Sequence, residues 1–328
     1  MDKADKKVKW GVLGTAGIAK GCTIPGMKEA DNCELYAIAG RSYAKAEAFR
    51  DEFGFEKAYG SYEDLIGDEA VEAVYIALPN NLHFPWVKAA LEHKKHVLCE
   101  KPLAMNAAEA KQMFEIAEAN GVYLTEAYAY LHSPYVKALK DEIAGGVLGE
   151  IEYVESAFLA QGHIEDFRLH KESGGGAVYD LGCYSTTMIL SLVDSEVNFV
   201  RAAAEIGETG VDLNTACILK FENGVRASFN AGMIFKPGTH ARFDRLYIHG
   251  DKGQIRSEVE YNRSGECSYR ICTKEGETVK TVTALSNYRL EVEKLGRCIL
   301  QGEKPLVTPG FSIKNAEVLD RILEQIRL

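Results

Sequence analysis

The strongest constraint on the fold is an alternation of short apolar segments with helical patterns over roughly the first 125 residues. Such alternation is typical of a parallel sheet, because parallel strands need crossover helices rather than tight hairpins. The predicted strands are Lys9–Leu13, Leu35–Ala39, Ala73–Ala77, His96–Cys99 and Tyr123–Glu126. The helices predicted between them begin near Ser42 and after Ser61, and cover Phe84–His93 and Ala107–Ala119.

The second half has a different pattern, with long runs rich in β-branched and aromatic residues. These runs predict the strands Ile151–Ala160, Val197–Ile206, Leu213–Phe221 and Val225–Phe235, with a hairpin turn at Asn223-Gly224. Helices are predicted at Pro134–Ile143, at Tyr184–Val193 and from about Ile313 to Arg327. We therefore predict an α/β domain over residues 1–127, followed over residues 128–328 by an α+β domain with a large, mostly antiparallel, open-faced sheet.

The first predicted strand leads into the segment K-W-G-V-L-G-T-A-G-I-A-K, which opens a helix. A dinucleotide turn needs small residues where the backbone bends, where it meets the pyrophosphate and where the helix packs on the strand. Gly14, Ala16 and Ala19 fit these places as G-x-A-x-x-A, although a plain tight turn is the alternative. We predict an N-terminal Rossmann dinucleotide-binding domain whose turn contacts the cofactor through Gly14, Thr15, Ala16, Gly17 and Ile18.

The second predicted strand ends in Gly40-Arg41-Ser42, without the carboxylate that usually holds the ribose hydroxyls of NAD. Arg41 can pair with a 2′-phosphate, Ser42 can donate to it, and Lys45 lies one turn further on. This pattern favours NADP as the cofactor, with NAD still possible. The alternative is that Arg41 is solvated and that Ser42 only caps the next helix.

Charge and cysteine usage narrow the class of protein. The formal net charge of −10 repels phosphate backbones, so nucleic acid is not an expected partner. The eight cysteines include no C-x-x-C pair and no zinc-type Cys/His spacing, which predicts no metal site and favours a reducing compartment. The N-terminus lacks an apolar signal region, and no apolar run is long enough to span a bilayer. We expect a cytoplasmic protein without a membrane partner.

Two further segments come at the ends of predicted strands, A-L-P-N-N-L-H and H-V-L-C-E-K-P-L-A. An open α/β sheet places its ligand crevice at the carboxyl ends of its strands. Lys101, between Glu100 and Pro102, is therefore predicted to point its amine into that crevice.

These segments, with S-G-G-G-A-V-Y-D-L-G-C-Y and N-Y-R-L-E-V-E-K-L, resemble the Gfo/Idh/MocA oxidoreductase family over essentially the whole chain. The chain looks most like the branch of dimeric dihydrodiol dehydrogenases, NADP-dependent xylose dehydrogenases and glucose–fructose oxidoreductase. The resemblance implies that Lys101 is the catalytic lysine and that Asp180 and Tyr184 form the D-x-G-x-x-H/Y motif, with Tyr where inositol dehydrogenases have His. It also implies cofactor contacts from Leu78, Pro79, Asn80, His83, Glu100, Lys101 and Arg168.

The same residues support a mechanism that does not need the family. Oxidation of an alcohol needs a base to take the hydroxyl proton while nicotinamide takes the hydride. A phenol has an ordinary pKa of about 10, and a nearby ammonium favours the phenolate and lowers that value. We therefore favour Tyr184 as acid/base and Lys101 as its electrostatic partner, with the reverse assignment open. Asp180 and Tyr184 are four residues apart, so we expect them to share one side of a helix. Three roles are open for Asp180: it binds the substrate, it fixes the lysine, or it only caps the helix.

The predicted function is an NADP-dependent oxidoreductase that moves a hydride to or from a hydroxyl-bearing carbon of a sugar, polyol or dihydrodiol. One alternative is an NAD-dependent glycosidase that oxidises its substrate transiently, and another is a non-catalytic regulator that senses sugar or dinucleotide. The absence of an acidic residue after the second predicted strand disfavours the NAD-dependent glycosidase. The presence of Lys101, Asp180 and Tyr184 together disfavours the non-catalytic regulator. One face of the predicted C-terminal sheet is left uncovered, which predicts a homodimer or homotetramer that buries it. Met233, Phe235 and Tyr247 either line that surface or pack in the core.

Overall fold

The computed structural model describes residues 6–258 and 261–326 and divides the chain into two compact units. Unit 1 extends to His132 and also contains Ser286–Ile313. Unit 2 contains Ser133–Leu285 and the residues from Lys314 onward. Within the described ranges, no helix is long and apolar enough to cross a bilayer.

Unit 1 is built on a six-stranded parallel sheet. Its strands are β1 (Val8–Leu13), β2 (Cys33–Ala39), β3 (Lys57–Tyr59), β4 (Ala73–Ile76), β5 (His96–Glu100) and β6 (Leu124–Ala127). The order β3-β2-β1-β4-β5-β6 places the carboxyl ends of β1 and β4 at the topological switch point, where such sheets bind ligands. The five predicted strands are confirmed, and β3 is an additional edge strand of three residues, too short to show a sequence period.

Unit 2 is built on an eight-stranded sheet of order β14-β13-β12-β11-β7-β10-β9-β8. Its strands are β7 (Ile151–Gln161), β8 (Val197–Ile206), β9 (Asp212–Phe221), β10 (Arg226–Phe235), β11 (Arg242–Gly250), β12 (Gly253–Ser257), β13 (Gly265–Thr273) and β14 (Gly276–Ala284). β7 and β10 pair in parallel, and the other pairings of the described strands are antiparallel. The predicted α/β fold class with a second, mostly antiparallel sheet is confirmed.

Helices connect the strands and close the chain. They are α1 (Ile24–Glu29), α2 (Tyr43–Phe53), α3 (Tyr62–Gly67), α4 (His83–Glu92), α5 (Ala107–Asn120), α6 (Pro134–Ala144), α7 (Cys183–Leu192), α8 (Asn287–Gln301) and α9 (Pro309–Ile326). Ser61 accepts the Asp64 amide and Ser133 accepts the Tyr135 amide, so both serines cap the helices that follow them. The predicted end of the last helix, Arg327, lies outside the described residues.

Helix α8 was not predicted, and it completes the core of unit 1 from far along the chain. Its Val292 and Leu295 pack in the same buried cluster as Trp10 of β1. Gly26 of α1 lets the two helices approach closely, since a Cβ there would lie 2.7 Å from the Arg289 backbone nitrogen. The Rossmann sheet is therefore covered in part by a segment from the C-terminal end of the sequence.

One face of the unit 2 sheet is covered and the other is exposed. Along β9, Thr215, Cys217 and Leu219 are buried and alternate with exposed residues, and α7 packs on the covered face against β7 and β10. Met233 is buried on the covered face, in line with the core alternative, whereas Tyr247 lies on the open face. That open face carries large apolar side chains that are 40–57% exposed: Phe199, Ile218, Ile234, Phe243 and Val279.

Candidate active site

The turn after β1 has the geometry of a phosphate-binding turn. Gly14 has a φ of +105°, in the region that favours glycine. A Cβ there would lie 2.4 Å from the Ala77 carbonyl oxygen, so only glycine lets the turn pass this close to the loop after β4. The following π-helical stretch, Ala19–Thr23, starts at the fully buried Ala19, where the helix packs on the sheet. Thr15, Ala16 and Ile18 are partly exposed, and Gly17 is exposed.

The turn after β2 presents the side chains predicted to hold a 2′-phosphate. Arg41, Ser42 and Lys45 are all exposed, and no carboxylate lies among these turn residues. Ser42 occupies the N-cap of α2, yet within the described chain its side chain makes no capping hydrogen bond. A Cβ at Gly40 would lie 3.2 Å from Thr15 Cγ2, so the turns after β1 and β2 adjoin. The anion contact predicted for Ser42 stays a prediction.

His83 joins the loops that follow β4 and β5. Its Nε2 lies 2.9 Å from the Leu78 carbonyl oxygen, and its Nδ1 lies 2.8 Å from the Pro102 carbonyl oxygen. The ring is fully buried, and burial lowers the pKa of the imidazole. The enclosed ring positions the two loops, and a contact of His83 with the cofactor stays a prediction. Leu78 and Pro79 stay partly exposed beside it, and Asn80 is buried.

Glu100, at the end of β5, lies in a buried hydrogen-bonded chain. The Tyr75 hydroxyl donates to Glu100 Oε1 at 2.5 Å, and the Thr23 hydroxyl donates to the Tyr75 oxygen at 2.9 Å. Glu291 of α8 is also buried, and burial, reinforced by the Glu100 charge, raises its pKa well above the ordinary value. We therefore interpret Glu291 as a neutral carboxyl group, while the hydrogen bond from Tyr75 holds Glu100 in place before Lys101.

Lys101 directly follows β5 and is partly buried. The residue before it, Glu100, is held by Tyr75, and the residue after it, Pro102, is contacted by His83. Glu126 of β6 is 2% exposed, and its Oε1 accepts the Leu103 amide at 2.8 Å. Burial raises the pKa of Glu126 to about 7, although the Leu103 amide and the Lys101 charge favour the carboxylate. Unit 1 thus places a lysine within electrostatic reach of a carboxyl group that titrates near neutral pH.

Asp180 and Tyr184 lie on one helical segment of unit 2. A π-helical stretch, Val178–Gly182, carries Asp180 and leads directly into α7, which carries Tyr184. Such stretches are rare and occur often at functional sites. The Arg168 Nε lies 2.9 Å from Asp180 Oδ2, and its Nη1 lies 3.0 Å from Asp166 Oδ1. Burial alone would lower the pKa of Arg168, but the charges of Asp180 and Asp166 raise it above its ordinary value, as expected for a guanidinium between two carboxylates.

Asp212, which the sequence analysis missed, anchors the start of this segment. Its Oδ2 accepts the Val178 amide at 2.8 Å and the Thr215 hydroxyl at 2.8 Å. A Cβ at Gly176 would lie 2.2 Å from Asp212 Oδ1, which explains one glycine of the triple-glycine motif. In the sequence, Asp212 is noticeable only as an acidic residue at the first position of a strand, which does not indicate that it accepts the Val178 amide.

The Tyr184 ring lies among aromatic side chains of unit 2 that sequence analysis also missed. Its centroid is 5.4 Å from that of Phe158 and 5.3 Å from that of Tyr261. These residues come from β7 and from the segment between β12 and β13, so no local spacing in the sequence links them. Lys101 belongs to unit 1 and Tyr184 to unit 2, and their joint action stays a prediction.

A parallel sheet with a glycine turn at its switch point, followed by a mostly antiparallel second unit with an acid–phenol pair, defines a dinucleotide-dependent oxidoreductase. Residues 8–128 match the model of an oxidoreductase family with an NAD-binding Rossmann fold, and residues 136–256 match the Gfo/Idh/MocA C-terminal domain. The chain belongs to the Gfo/Idh/MocA family of oxidoreductases. The predicted family and enzyme class are confirmed.

Relatives of the chain extend over almost its full length. It is 32% identical to D-xylose 1-dehydrogenase (NADP(+)) 2 of Haloferax volcanii, over 96% of each chain. It is 30% identical to the mouse trans-1,2-dihydrobenzene-1,2-diol dehydrogenase, over 98% of this chain and 96% of that one. Among solved structures it is similar to KijD10, a 3-ketoreductase from Actinomadura kijaniata in complex with NADP and TDP-benzene, with a TM-score of 0.91, 26% identity and 98% coverage of both chains.

Proposed function

We propose that the chain is an NADP-dependent dehydrogenase or reductase that acts on a hydroxyl-bearing carbon of a sugar, polyol or dihydrodiol. The observation that carries this proposal is the full-length similarity to relatives named as a xylose dehydrogenase and a dihydrobenzenediol dehydrogenase. The chain also retains Lys101, Asp180 and Tyr184, the three residues predicted to perform the chemistry. All eight cysteines are free, which supports a reducing, cytoplasmic location.

The residues of unit 1 fit NADP. The turn at Gly14 is too close to Ala77 for any side chain, as a pyrophosphate-binding turn requires. At the end of β2, the exposed Arg41, Ser42 and Lys45 offer donors and positive charge without a carboxylate to repel a 2′-phosphate. The three side chains would therefore hold the feature that distinguishes NADP from NAD.

The chemistry divides between a proton and a hydride. The nicotinamide, when bound, supplies or accepts the hydride. In the oxidising direction, Tyr184 in its phenolate form takes the substrate hydroxyl proton as the carbonyl forms, and in the reducing direction the phenol returns a proton to the new alkoxide oxygen. We infer that the Lys101 ammonium stabilises the oxyanion that develops on the substrate. Arg168 keeps Asp180 charged, so Asp180 accepts hydrogen bonds and does not deliver the proton.

We also propose that the open face of the unit 2 sheet is the interface of a homodimer or homotetramer. Five large apolar side chains on that face are 40–57% exposed. An exposed apolar patch of this kind is typical of a surface that binds another protein. An interface between identical subunits would remove them from water.

The direct test is a panel of aldoses, polyols and trans-dihydrodiols, each assayed with NADP and NAD through the absorbance of the reduced nicotinamide. We expect turnover proportional to substrate, with NADP preferred. Tyr184→Phe and Lys101→Ala are each expected to lower kcat by about 10²- to 10⁴-fold. Tyr123→Phe, which alters a tyrosine stacked on His96 in unit 1, is the matched control and keeps its activity. Absence of net turnover with every substrate would refute the proposal.

A further inference from the structure

A buried chain of hydrogen bonds crosses unit 1 and ends at the residue before Lys101. The Thr23 hydroxyl donates to the Tyr75 oxygen at 2.9 Å, and the Tyr75 hydroxyl donates to Glu100 Oε1 at 2.5 Å. Thr23 and Tyr75 have no exposed surface, and Glu100 is 9% exposed. Bulk water therefore does not compete for these contacts, and each hydrogen bond is stronger than it would be at the surface.

The two ends of the chain belong to the two segments of unit 1 that the proposed reaction uses. Thr23 ends the π-helical stretch that follows the turn at Gly14, where the pyrophosphate is predicted to bind. Glu100 ends β5 and directly precedes Lys101. Tyr75 lies between these ends on β4, which pairs with both β1 and β5. One tyrosine side chain thus connects the cofactor-binding turn to the segment of the lysine.

The register of the sheet explains why Tyr75 reaches Glu100. Tyr75 pairs with Leu98 across β4 and β5, and Glu100 lies two residues beyond Leu98. Side chains two residues apart on a strand point to the same face, so the phenol and the carboxyl group share a face of the sheet. The ring of Tyr75 packs in the buried cluster that contains Trp10 and Leu98. A phenylalanine ring would fill the same space, so packing does not explain the hydroxyl group.

The Tyr75 hydroxyl acts as the donor to Glu100. Burial raises the pKa of Tyr75 well above its ordinary value, so the phenol keeps its proton at neutral pH. A phenol has one proton to donate, and Glu100 accepts it, which leaves the phenol oxygen to accept from Thr23. This hydrogen bond holds the carboxyl end of β5, and the next residue along the chain is Lys101.

We propose that Tyr75 is a positioning residue, which holds the end of β5 in place so that the Lys101 amine meets the reacting oxygen of the substrate. The inference rests on the proposed function, because Tyr75 acts through the oxyanion stabilisation inferred for Lys101. A misplacement of about 1 Å can cost about 10²-fold in rate. One buried hydrogen bond next to the lysine is therefore sufficient for a measurable effect on kcat.

The test is a double-mutant cycle between Tyr75 and Lys101. Tyr75→Phe removes one oxygen, and Lys101→Ala removes the amine. The assays use NADP and the substrate that turns over fastest in the panel of aldoses, polyols and trans-dihydrodiols. We expect Tyr75→Phe to lower kcat about 10- to 100-fold and to leave the KM for NADP and for substrate within about twofold. In the Lys101→Ala background the same change should not lower kcat further, because no amine is left to position.

Tyr59→Phe is the matched control. Tyr59 also donates to a carboxylate of unit 1, at 2.7 Å to Asp68 Oδ2, but it lies on the edge strand β3. Its loss of a hydroxyl group should leave kcat within about twofold of the wild-type value. Thr23→Val removes the other hydrogen bond of Tyr75 and keeps the one to Glu100, so it should lower kcat only about two- to fivefold.

An unchanged kcat in Tyr75→Phe would overturn the inference. Losses that multiply in the double variant would also overturn it, because they indicate that Tyr75 acts independently of Lys101. If Tyr75→Phe does not fold, Thr23→Val takes its place in the cycle, and an effect on kcat that persists without the Lys101 amine has the same meaning. Absence of turnover by the wild-type protein would instead refute the proposed function, so the two failures are distinguishable.

Discussion

The substitution Glu126→Gln measures how burial of an ionisable group affects the stability of the fold. Glu126 contacts the Leu103 amide in the segment that follows Lys101. Glu126 is buried, and its pKa rises from an ordinary 4.5 to about 7 because burial penalises the carboxylate. Between these values the unfolded chain has lost its proton while the folded chain keeps it, so the free energy of unfolding falls as pH rises and then levels off above about pH 7. At about 1.4 kcal/mol per pKa unit, the complete penalty is about 3 kcal/mol.

Glutamine resembles the protonated carboxyl group, and its oxygen can still accept the Leu103 amide. The variant should therefore equal the wild-type protein in stability below about pH 4 and exceed it by about 3 kcal/mol at about pH 8. Only the difference between variant and wild type is used, because burial also lowers the pKa of His132 to about 3 and that group titrates in both proteins.

Tryptophan fluorescence during urea unfolding reports the relevant unit, since both tryptophans of the chain, Trp10 and Trp86, lie in unit 1 with Glu126. Glu115→Gln, which alters an exposed carboxylate on α5, should show the pH dependence of the wild-type protein. Parallel curves for wild type and Glu126→Gln from about pH 5 to about pH 8 would refute the argument that burial controls this carboxyl group.

Three other variants test separate parts of the molecule. Arg41→Ala should raise the KM for NADP about 10- to 100-fold and leave that for NAD nearly unchanged, and equal effects on both cofactors would remove Arg41 from the 2′-phosphate site. His83→Leu should lower the free energy of unfolding by about 1–3 kcal/mol, because the carbonyl that accepts the single N–H of the neutral ring is left unpaired, and unchanged urea unfolding would contradict its role between the loops. Ile218→Arg should reduce the mass measured by light scattering to that of a monomer, whereas Ile164→Arg, at a loop position that is 79% exposed, should not. If the mass is unchanged in Ile218→Arg, the open face is not the interface.

Features set by a few neighbouring residues could be predicted from the sequence. Gly14 marks a turn because its φ is accessible mainly to glycine, and the close spacing of Asp180 and Tyr184 places them on one helical segment. The sequence could not show that the His83 ring is enclosed, because only the fold brings the Pro102 carbonyl to it. Phe158 and Tyr261 escaped prediction for the same reason, since they meet Tyr184 only through the pairing of distant strands.

The contribution of α8 to unit 1 has a consequence for biosynthesis. Roughly 150 residues separate His132 from Ser286, and a ribosome takes about 8–30 s to add them. Until then the nascent Rossmann sheet lacks Val292 and Leu295 of its buried cluster, together with the main-chain contacts of α8 at Gly26. We therefore expect a fragment that ends at His132 to be prone to aggregation, and the emerging unit 1 to stay incompletely packed until α8 is made.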